Sequence, residues 1–281
     1  VKKLNKKICF TTVLSDSYIY GAYVTIFSIL QSTSNFNYDF IIFDWGELSA
    51  ENKKNLKKLY NNIIFKAVDK DLYKNCKYDN TCREWKYNCN YRFDIFTLDM
   101  YDTVVFIDCD FLVLQNFKPL LNKNIDFGAV LSKKEYIPQL INDTCFSAGL
   151  MIIGKRFLNH KVRDELIKLS MMTPPESTFN TKLWMSDEPI LNNFFINDLT
   201  PIHHKYNTLL YAYDANTIAK KYNIHFNGVL KPWVSKNVLD YFDEFTNVFK
   251  KLGTAKASVN IIKLFSLYEK TLLHTKKLIT N

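Results

Sequence analysis

Two carboxylates stand inside a run of apolar residues, Val104-Val105-Phe106-Ile107-Asp108-Cys109-Asp110-Phe111-Leu112-Val113-Leu114. An ionised carboxylate taken out of water is costly unless it is paired or bound to a cation. Carboxylate oxygens suit hard divalent ions such as Mn2+ and Mg2+. An Asp-x-Asp at a strand end aims both acids at one edge of the sheet, where open α/β proteins hold their ligands. The competing reading is a strand-end turn with two solvated acids, and the string alone does not choose between them.

A second group lies far along the chain: His225-Phe226-Asn227-Gly228-Val229-Leu230-Lys231-Pro232-Trp233. A lone histidine after a strand is more often structural than a ligand. Here it comes with Gly228, which allows close backbone approach, and with Lys231, a point charge suited to phosphate. Imidazole is acceptable to Mn2+, so a mixed carboxylate and histidine site is chemically reasonable.

The elements that must position these groups alternate short β-rich runs with amphipathic segments, the pattern of an α/β protein. Strands are expected at Ile8 to Leu14, Tyr38 to Phe43, Ile63 to Val68, Thr103 to Ile107, Phe127 to Leu131 and Leu150 to Ile153, with an extended stretch over Leu112 to Leu114. Helical spacing runs from Gly21 to Leu30 and from Arg92 to Leu98, and Ser49 can cap a helix carrying Leu56 and Leu59. Thr173 to Ser186, with Pro174 and Pro175, reads as a loop, and Pro189 opens a short amphipathic helix. Beyond Trp233 the chain reads as helical and basic, with Leu239, Phe242, Phe245, Val248 and Phe249, then Ile261, Ile262, Leu264, Phe265 and Leu267.

With 281 residues, 47% of them hydrophobic and 23% charged, the chain can bury a sizeable core without disulfide or metal staples. Its charge of +9 is spread over lysine pairs along the chain rather than gathered in a binding motif, which argues against a nucleic-acid partner. Six cysteines form no CxxC pair, so a zinc ribbon is not expected. Cys9 and Cys109 read as buried apolar residues, and Cys76, Cys82 and Cys89 as reduced thiols in one polar loop. Val1-Lys2-Lys3-Leu4 carries no hydrophobic signal region, and no run of 18 apolar residues occurs, so a soluble, cytoplasmic protein is expected.

The Asp-x-Asp after an apolar strand and the late His-x-x-Gly-x-x-Lys-Pro-Trp, in that order, resemble glycosyltransferase family 8, the glycogenin-like retaining enzymes. The resemblance extends from about Ile8 to Trp233. It implies a Rossmann-like GT-A fold, with a central mainly parallel sheet flanked by helices. Residues 1–233 would be the catalytic domain, and 234–281 a helical, basic C-terminal extension. It also implies Asp108, Asp110 and His225 as ligands of Mn2+, with Mg2+ as the alternative, and a UDP-hexose as donor, UDP-glucose first.

Other positions take meaning from the same resemblance. Thr11, Thr12, Val13, Asp16 and Tyr18 are similar to the family's uridine-holding first strand and loop, which alone would read as a plain strand-loop-helix. Arg92 resembles the basic residue that contacts the donor ahead of the Asp-x-Asp, and Cys109 sits between the two acids. Ser147, Ala148 and Gly149 resemble the segment lining the sugar pocket. Asp187 and Glu188 resemble the pair beside the reacting carbon, with Gly228 and Lys231 at the diphosphate. Two positions depart from the pattern: Ser147 stands where relatives have Asn, and Glu188 where they have Gln. Both touch the surroundings of the donor sugar.

The implied reaction is transfer with retention by front-side attack, a departing phosphate oxygen taking the acceptor proton. Asp187 or Glu188 would lie near the developing oxocarbenium ion. The acceptor would be a carbohydrate or protein hydroxyl, including a tyrosine of the chain itself. A phosphoesterase or nuclease would need further carboxylates for a second metal, and none cluster in the sequence. A non-catalytic nucleotide-sugar-binding or scaffold protein is the remaining alternative. For the tail, packing on the catalytic domain or on a second copy in a homodimer is the first expectation, and peripheral membrane contact the second.

Overall fold

A computed structural model describes residues 6–34, 37–76, 84–132, 145–172, 187–209, 220–227, 231–234 and 258–280. The expected loop over residues 173–186, the apolar positions from Leu239 to Phe249, and Gly228 and Cys82 lie outside them.

The first strand, β1 (Ile8–Leu14), is apolar on both faces, as a strand covered on both sides must be. Ile8, Phe10 and Leu14 enter one core and Cys9 the other. β1 lies between β2 (Asp39–Asp44) and β4 (Thr103–Ile107), parallel to both, and β3 (Ile63–Ala67) extends β2. On the other side of β4 come β7 (Phe146–Gly154), β6 (Phe127–Leu131) and the short β8 (Leu199–Pro201). Of these seven strands only β7 runs against its neighbours, so the sheet is mainly parallel, in the order β3-β2-β1-β4-β7-β6-β8.

Helix α1 (Ile19–Ser32) begins two residues before the expected spacing and is buried nearly all round. Ile19, Ala22, Tyr23, Ile26 and Ile29 face the sheet's core, and the far side is covered by the last helix. Helix α2 (Ala50–Leu59) starts as expected: Ser49 Oγ accepts from Asn52 N at 3.3 Å, with Glu51 in the first turn and Lys57 and Lys58 in the last, both favourable to the helix dipole. The stretch around Arg92 is helical, as its spacing implied, and of the 3-10 form, over Glu84–Thr97. Three further helices follow: α3 (Lys118–Leu121), α4 (His160–Met171) and α5 (Glu188–Phe195).

A small second sheet sets up the site. β5 (Phe111–Leu112) pairs antiparallel with β10 (Ile224–His225), which pairs parallel with β9 (Thr208–Leu209). His225 falls opposite Phe111, the residue after Asp110. Two segments more than a hundred residues apart are thereby brought together by backbone pairing.

The C-terminal helix α6 (Ser258–Thr280) packs on α1 and α2. Leu264, Phe265, Tyr268, Thr275 and Ile279 are buried. Lys58 Nζ donates to Ile279 O at 2.7 Å, and the Lys276 ammonium lies 4.0 Å from the centre of the Tyr20 ring. Over this stretch the tail's apolar face is laid against the body of the same chain. Among the described residues no helix is long and apolar enough to cross a membrane. Cys9, Cys76 and Cys109 are thiols, as expected.

Candidate active site

The apolar strand β4 runs to its end at Ile107 and delivers the two acids at the edge of the sheet. Asp108 N donates to Gly149 O at 2.9 Å, continuing the β4–β7 ladder by one bond, and Asp110 O accepts from Phe226 N at 2.8 Å. His225 Nε2 then lies 3.2 Å from Asp110 Oδ1 and 3.8 Å from Asp108 Oδ2. The three side chains offer ligand atoms all within 4.8 Å of one another.

The histidine is fixed on every side. Its ring stacks on Phe111 with centroids 4.4 Å apart, and its Nδ1 is 3.0 Å from Asn207 Oδ1. Asn207 Nδ2 in turn donates to Ser147 Oγ at 3.2 Å. With the amide oxygen as acceptor, Nδ1 carries the proton and Nε2 presents its lone pair to the two carboxylates, the arrangement a metal-binding histidine requires. Gly149 makes the room: a Cβ there would lie 2.8 Å from His225 Nδ1 and 3.1 Å from Asp108 Oδ2. Among the described residues Asp110 Oδ1 is buried with no hydrogen-bond partner. An orphaned carboxylate oxygen, a second carboxylate and an oriented imidazole fit a divalent cation.

Lys231 closes this half. Its Nζ donates to Asp110 Oδ2 and, at 2.9 Å, to Phe226 O. Burial works to raise the Asp110 pKa, but the Lys231 ammonium outweighs it and holds the carboxyl well below the usual range. Burial pushes Asp108 up to about 6 against the pull of Arg92, with Asp110 adding to the rise.

The other half gathers around Arg92. Its Nε lies 2.6 Å from Asp187 Oδ2, one terminal nitrogen lies 3.5 Å from Asp108 Oδ1, and the other donates to Ala148 O at 3.4 Å. Its guanidinium carbon sits 5.0 Å from the centre of the Phe106 ring. Asp187 stands at the N-cap of α5 yet makes no capping hydrogen bond, its carboxylate being turned to Arg92. Burial raises the Asp187 pKa against the opposing charge of Arg92. Glu188 is half-buried; desolvation, then the neighbouring Asp187, push it up to about 8, although Arg92 and the Ala148 N–H favour its charged form.

The remaining predicted positions divide. Thr12 Oγ1 lies 3.0 Å from Cys109 Sγ, which donates to Val13 O at 3.3 Å, so the first strand is tied to the Asp-x-Asp turn. Thr11 is buried, and its Oγ1 has no partner among the described residues. The half-buried Tyr18 has Lys231 Nζ 5.9 Å from its ring centre. The Asp16 carboxylate accepts from Ser49 N, Ser49 Oγ and Asn52 Nδ2 at 2.9, 3.3 and 2.8 Å, and so fastens the start of α2. The sequence reading did not single out Asn207, which orients His225, nor give a role to Asn192. Asn192 accepts from Phe146 N at 2.8 Å and donates to Phe146 O at 2.9 Å, holding the start of β7. A polar residue directly before a buried strand was the only available signal for Asn207.

The model of a family described as glycosyl transferase family 8 matches residues 9–237. Glycogenin-2 of Homo sapiens is 28% identical over 148 residues, covering 49% of this chain and 26% of that protein. The match therefore spans about a quarter of the relative's length. An uncharacterised protein of Acanthamoeba polyphaga mimivirus is 24% identical over 281 residues, 86% of this chain and 94% of that one. Among solved structures, the galactosyltransferase LgtC in complex with donor and acceptor sugar analogues superposes with a TM-score of 0.62 at 19% identity, covering 88% of this chain and 97% of that one. A glutamine-to-glutamate active-site mutant of LgtC gives 0.61 at 18% identity, with 85% and 95% covered. At these identities the structural likeness establishes the GT-A fold.

Proposed function

The chain belongs to glycosyl transferase family 8, and on that basis we propose that it is a metal-dependent retaining glycosyltransferase moving a hexose, glucose first, from a UDP-sugar to a hydroxyl acceptor. The observation that supports this most is the convergence of Asp108, Asp110 and His225 within 4.8 Å, from two distant segments, around an orphaned carboxylate oxygen. Residues 1–233 are the catalytic unit in this reading and 234–281 its extension.

A divalent ion held by these three residues supplies Lewis-acid stabilisation of the charge that gathers on the departing diphosphate. Lys231, fixed by Asp110 and Phe226 O, adds a permanent positive charge on the same side. Such charges stabilise developing charge better when they are held in place before reaction than when water must reorganise. Arg92, locked between Asp187, Asp108 and the Phe106 face, braces the acids opposite. Asp187 and Glu188 face the positive charge that develops on the sugar. Retention follows from front-side attack, with the departing diphosphate oxygen taking the acceptor proton, so no side chain need serve as base.

Glu188 stands where family members carry Gln, and at neutral pH its raised pKa keeps a proton on it. A neutral carboxyl offers a donor O–H beside an acceptor carbonyl, as an amide offers a donor NH2 beside its carbonyl. The position can therefore serve as the family's glutamine does until the pH rises past about 8.

Incubation with a panel of UDP-sugars and Mn2+, followed by intact-mass spectrometry and assay of released UDP, tests the reading. One sugar should be consumed, and a mass increase on the protein would identify tyrosine self-glycosylation. Mn2+-dependent UDP binding with no consumption of any sugar would leave a nucleotide-sugar-binding protein instead.

A further inference from the structure

The two segments that make the metal-binding half are followed at once by large aromatic residues: Phe226 after His225, and Trp233 two residues after Lys231. Both meet the same side chain, and it belongs to the C-terminal helix. Tyr268 is fully buried. Its ring lies edge-on to Phe226, with centroids 5.2 Å apart, and stacks on Trp233 at 6.2 Å. Phe265, one helical turn earlier, meets Phe226 edge-on at 5.7 Å.

Trp233 carries the contact onward. Its Nε1 donates to Ser17 O at 3.2 Å, and its ring meets Tyr18 edge-on at 5.7 Å. A Cβ on Gly21 would lie 2.6 Å from the Trp233 ring and would also collide with the carbonyl of Cys109, so helix α1 is wedged between the tryptophan and the Asp-x-Asp turn. Buried aromatic pairs of this geometry add attraction beyond their burial and fix mutual orientation. The helix that supplies Tyr268 begins at Ser258, past residue 237, where the family match ends.

We propose that Tyr268 is a positioning residue of the active site, acting through Phe226 and Trp233 to hold His225 and Lys231 in register with Asp108 and Asp110. The C-terminal helix is then part of the catalytic apparatus rather than an appended tail. This rests on the metal and donor reading above for its functional consequence, but not for its geometry. The Tyr268 hydroxyl donates to Tyr20 O over a long 3.4 Å, so the ring, not the hydroxyl, is the working part.

The test compares three full-length variants, Tyr268→Ala, Tyr268→Phe and Ile279→Ala. The last removes a buried side chain elsewhere on the same helix and serves as the control for destabilisation. Calorimetry with UDP in the presence of Mn2+ should show affinity reduced about 10–100-fold in Tyr268→Ala, the range seen when groups supporting a metal ligand are removed. Tyr268→Phe and Ile279→Ala should stay near wild type. The His225 ring signals in 15N-histidine NMR, identified by their loss in His225→Gln, should move in Tyr268→Ala alone. Unmoved His225 signals in Tyr268→Ala, or equal movement in Ile279→Ala, overturn the proposal. If wild type itself shows no Mn2+-dependent UDP binding, the metal and donor reading fails, while the His225 signals still decide the positioning role.

Discussion

The two halves of the site hold their acids by different means. On the His225 side one carboxylate, Asp110, has a lysine on one oxygen and an imidazole at the other, and its pKa is pulled far down. On the Arg92 side a single guanidinium serves Asp187 and Asp108 by contact and Glu188 at longer range, and all three pKa values are pushed up by burial. A buried carboxylate with an ammonium on one oxygen is costly to disturb, whereas two acids that share one guanidinium leave negative charge uncompensated. The first half is therefore built to stay fixed. In the proposed reaction the second would be completed by positive charge from outside, a divalent ion shared with Asp108 and an oxocarbenium-like sugar beside Asp187.

Removing Asp110 should have the largest effect. Asp110→Ala deletes a proposed metal ligand and leaves Lys231 buried without its partner. Transfer should fall by about a thousandfold or more, equivalent to several kcal/mol of lost charge stabilisation. Breaking a buried pair in this way also costs about 3–5 kcal/mol of stability, visible in urea unfolding. Transfer at wild-type level in the presence of EDTA would remove Asp110 from the account.

The supports of His225 come next. Asn207→Ala frees the imidazole to turn, and Gly149→Ala intrudes on it. Each should weaken Mn2+ binding about 10–100-fold, and Gly149→Ala should also lower thermal stability because its Cβ would overlap the packed imidazole. An unchanged Mn2+ affinity in both would show that the histidine needs no orienting shell.

Arg92→Lys keeps the charge but loses the planar fork that reaches Asp187, Asp108 and Ala148 O together. The loss of one charge-assisted hydrogen bond, about 1.5–3 kcal/mol, corresponds to about 10–100-fold in kcat. KM for the donor should change less than kcat. Equal changes would mean that the arginine binds the donor rather than bracing the acids.

Glu188→Gln should have the smallest effect, and its sign depends on pH. A carboxyl whose folded pKa is raised from 4.5 to about 8 holds its proton in the native chain where the unfolded chain has lost it. Native stability therefore falls as pH rises through that window, and the loss is complete above it. Without metal, Glu188→Gln should be more stable than wild type at pH 8, with the difference vanishing near pH 4.5. Urea unfolding at the two pH values reads this directly. A difference that stayed constant with pH would mean that Glu188 is ionised at neutrality.

Much of the fold was legible because its strongest signals are local. β1, β4 and β6 appear at their expected bounds, since continuous apolar runs mark strands buried on both faces. Helices α3 and α4 were not anticipated, and the segment around Arg92 turned out 3-10, because apolar spacing does not separate short helical forms. At the site, Asp108, Asp110 and His225 announced themselves as polar residues in apolar or motif surroundings. Asn207 and Tyr268 did not. Their roles arise from pairing between distant segments, β9 with β10 and the C-terminal helix with Phe226 and Trp233, which no periodicity records. Asp16, to which the first-loop resemblance pointed, also holds Ser49 and Asn52 through its carboxylate, a contact between distant segments that no local pattern records.

The central claim is that this chain holds a UDP-sugar through a divalent ion at Asp108, Asp110 and His225. Calorimetric titration of UDP into the full chain, once with Mn2+ and once with EDTA, tests it most directly. The account predicts binding that is much tighter with Mn2+, is lost in Asp110→Asn, and exceeds the binding of GDP under the same conditions. Equal UDP affinity with Mn2+ and with EDTA, or tighter binding of GDP than of UDP, would contradict it.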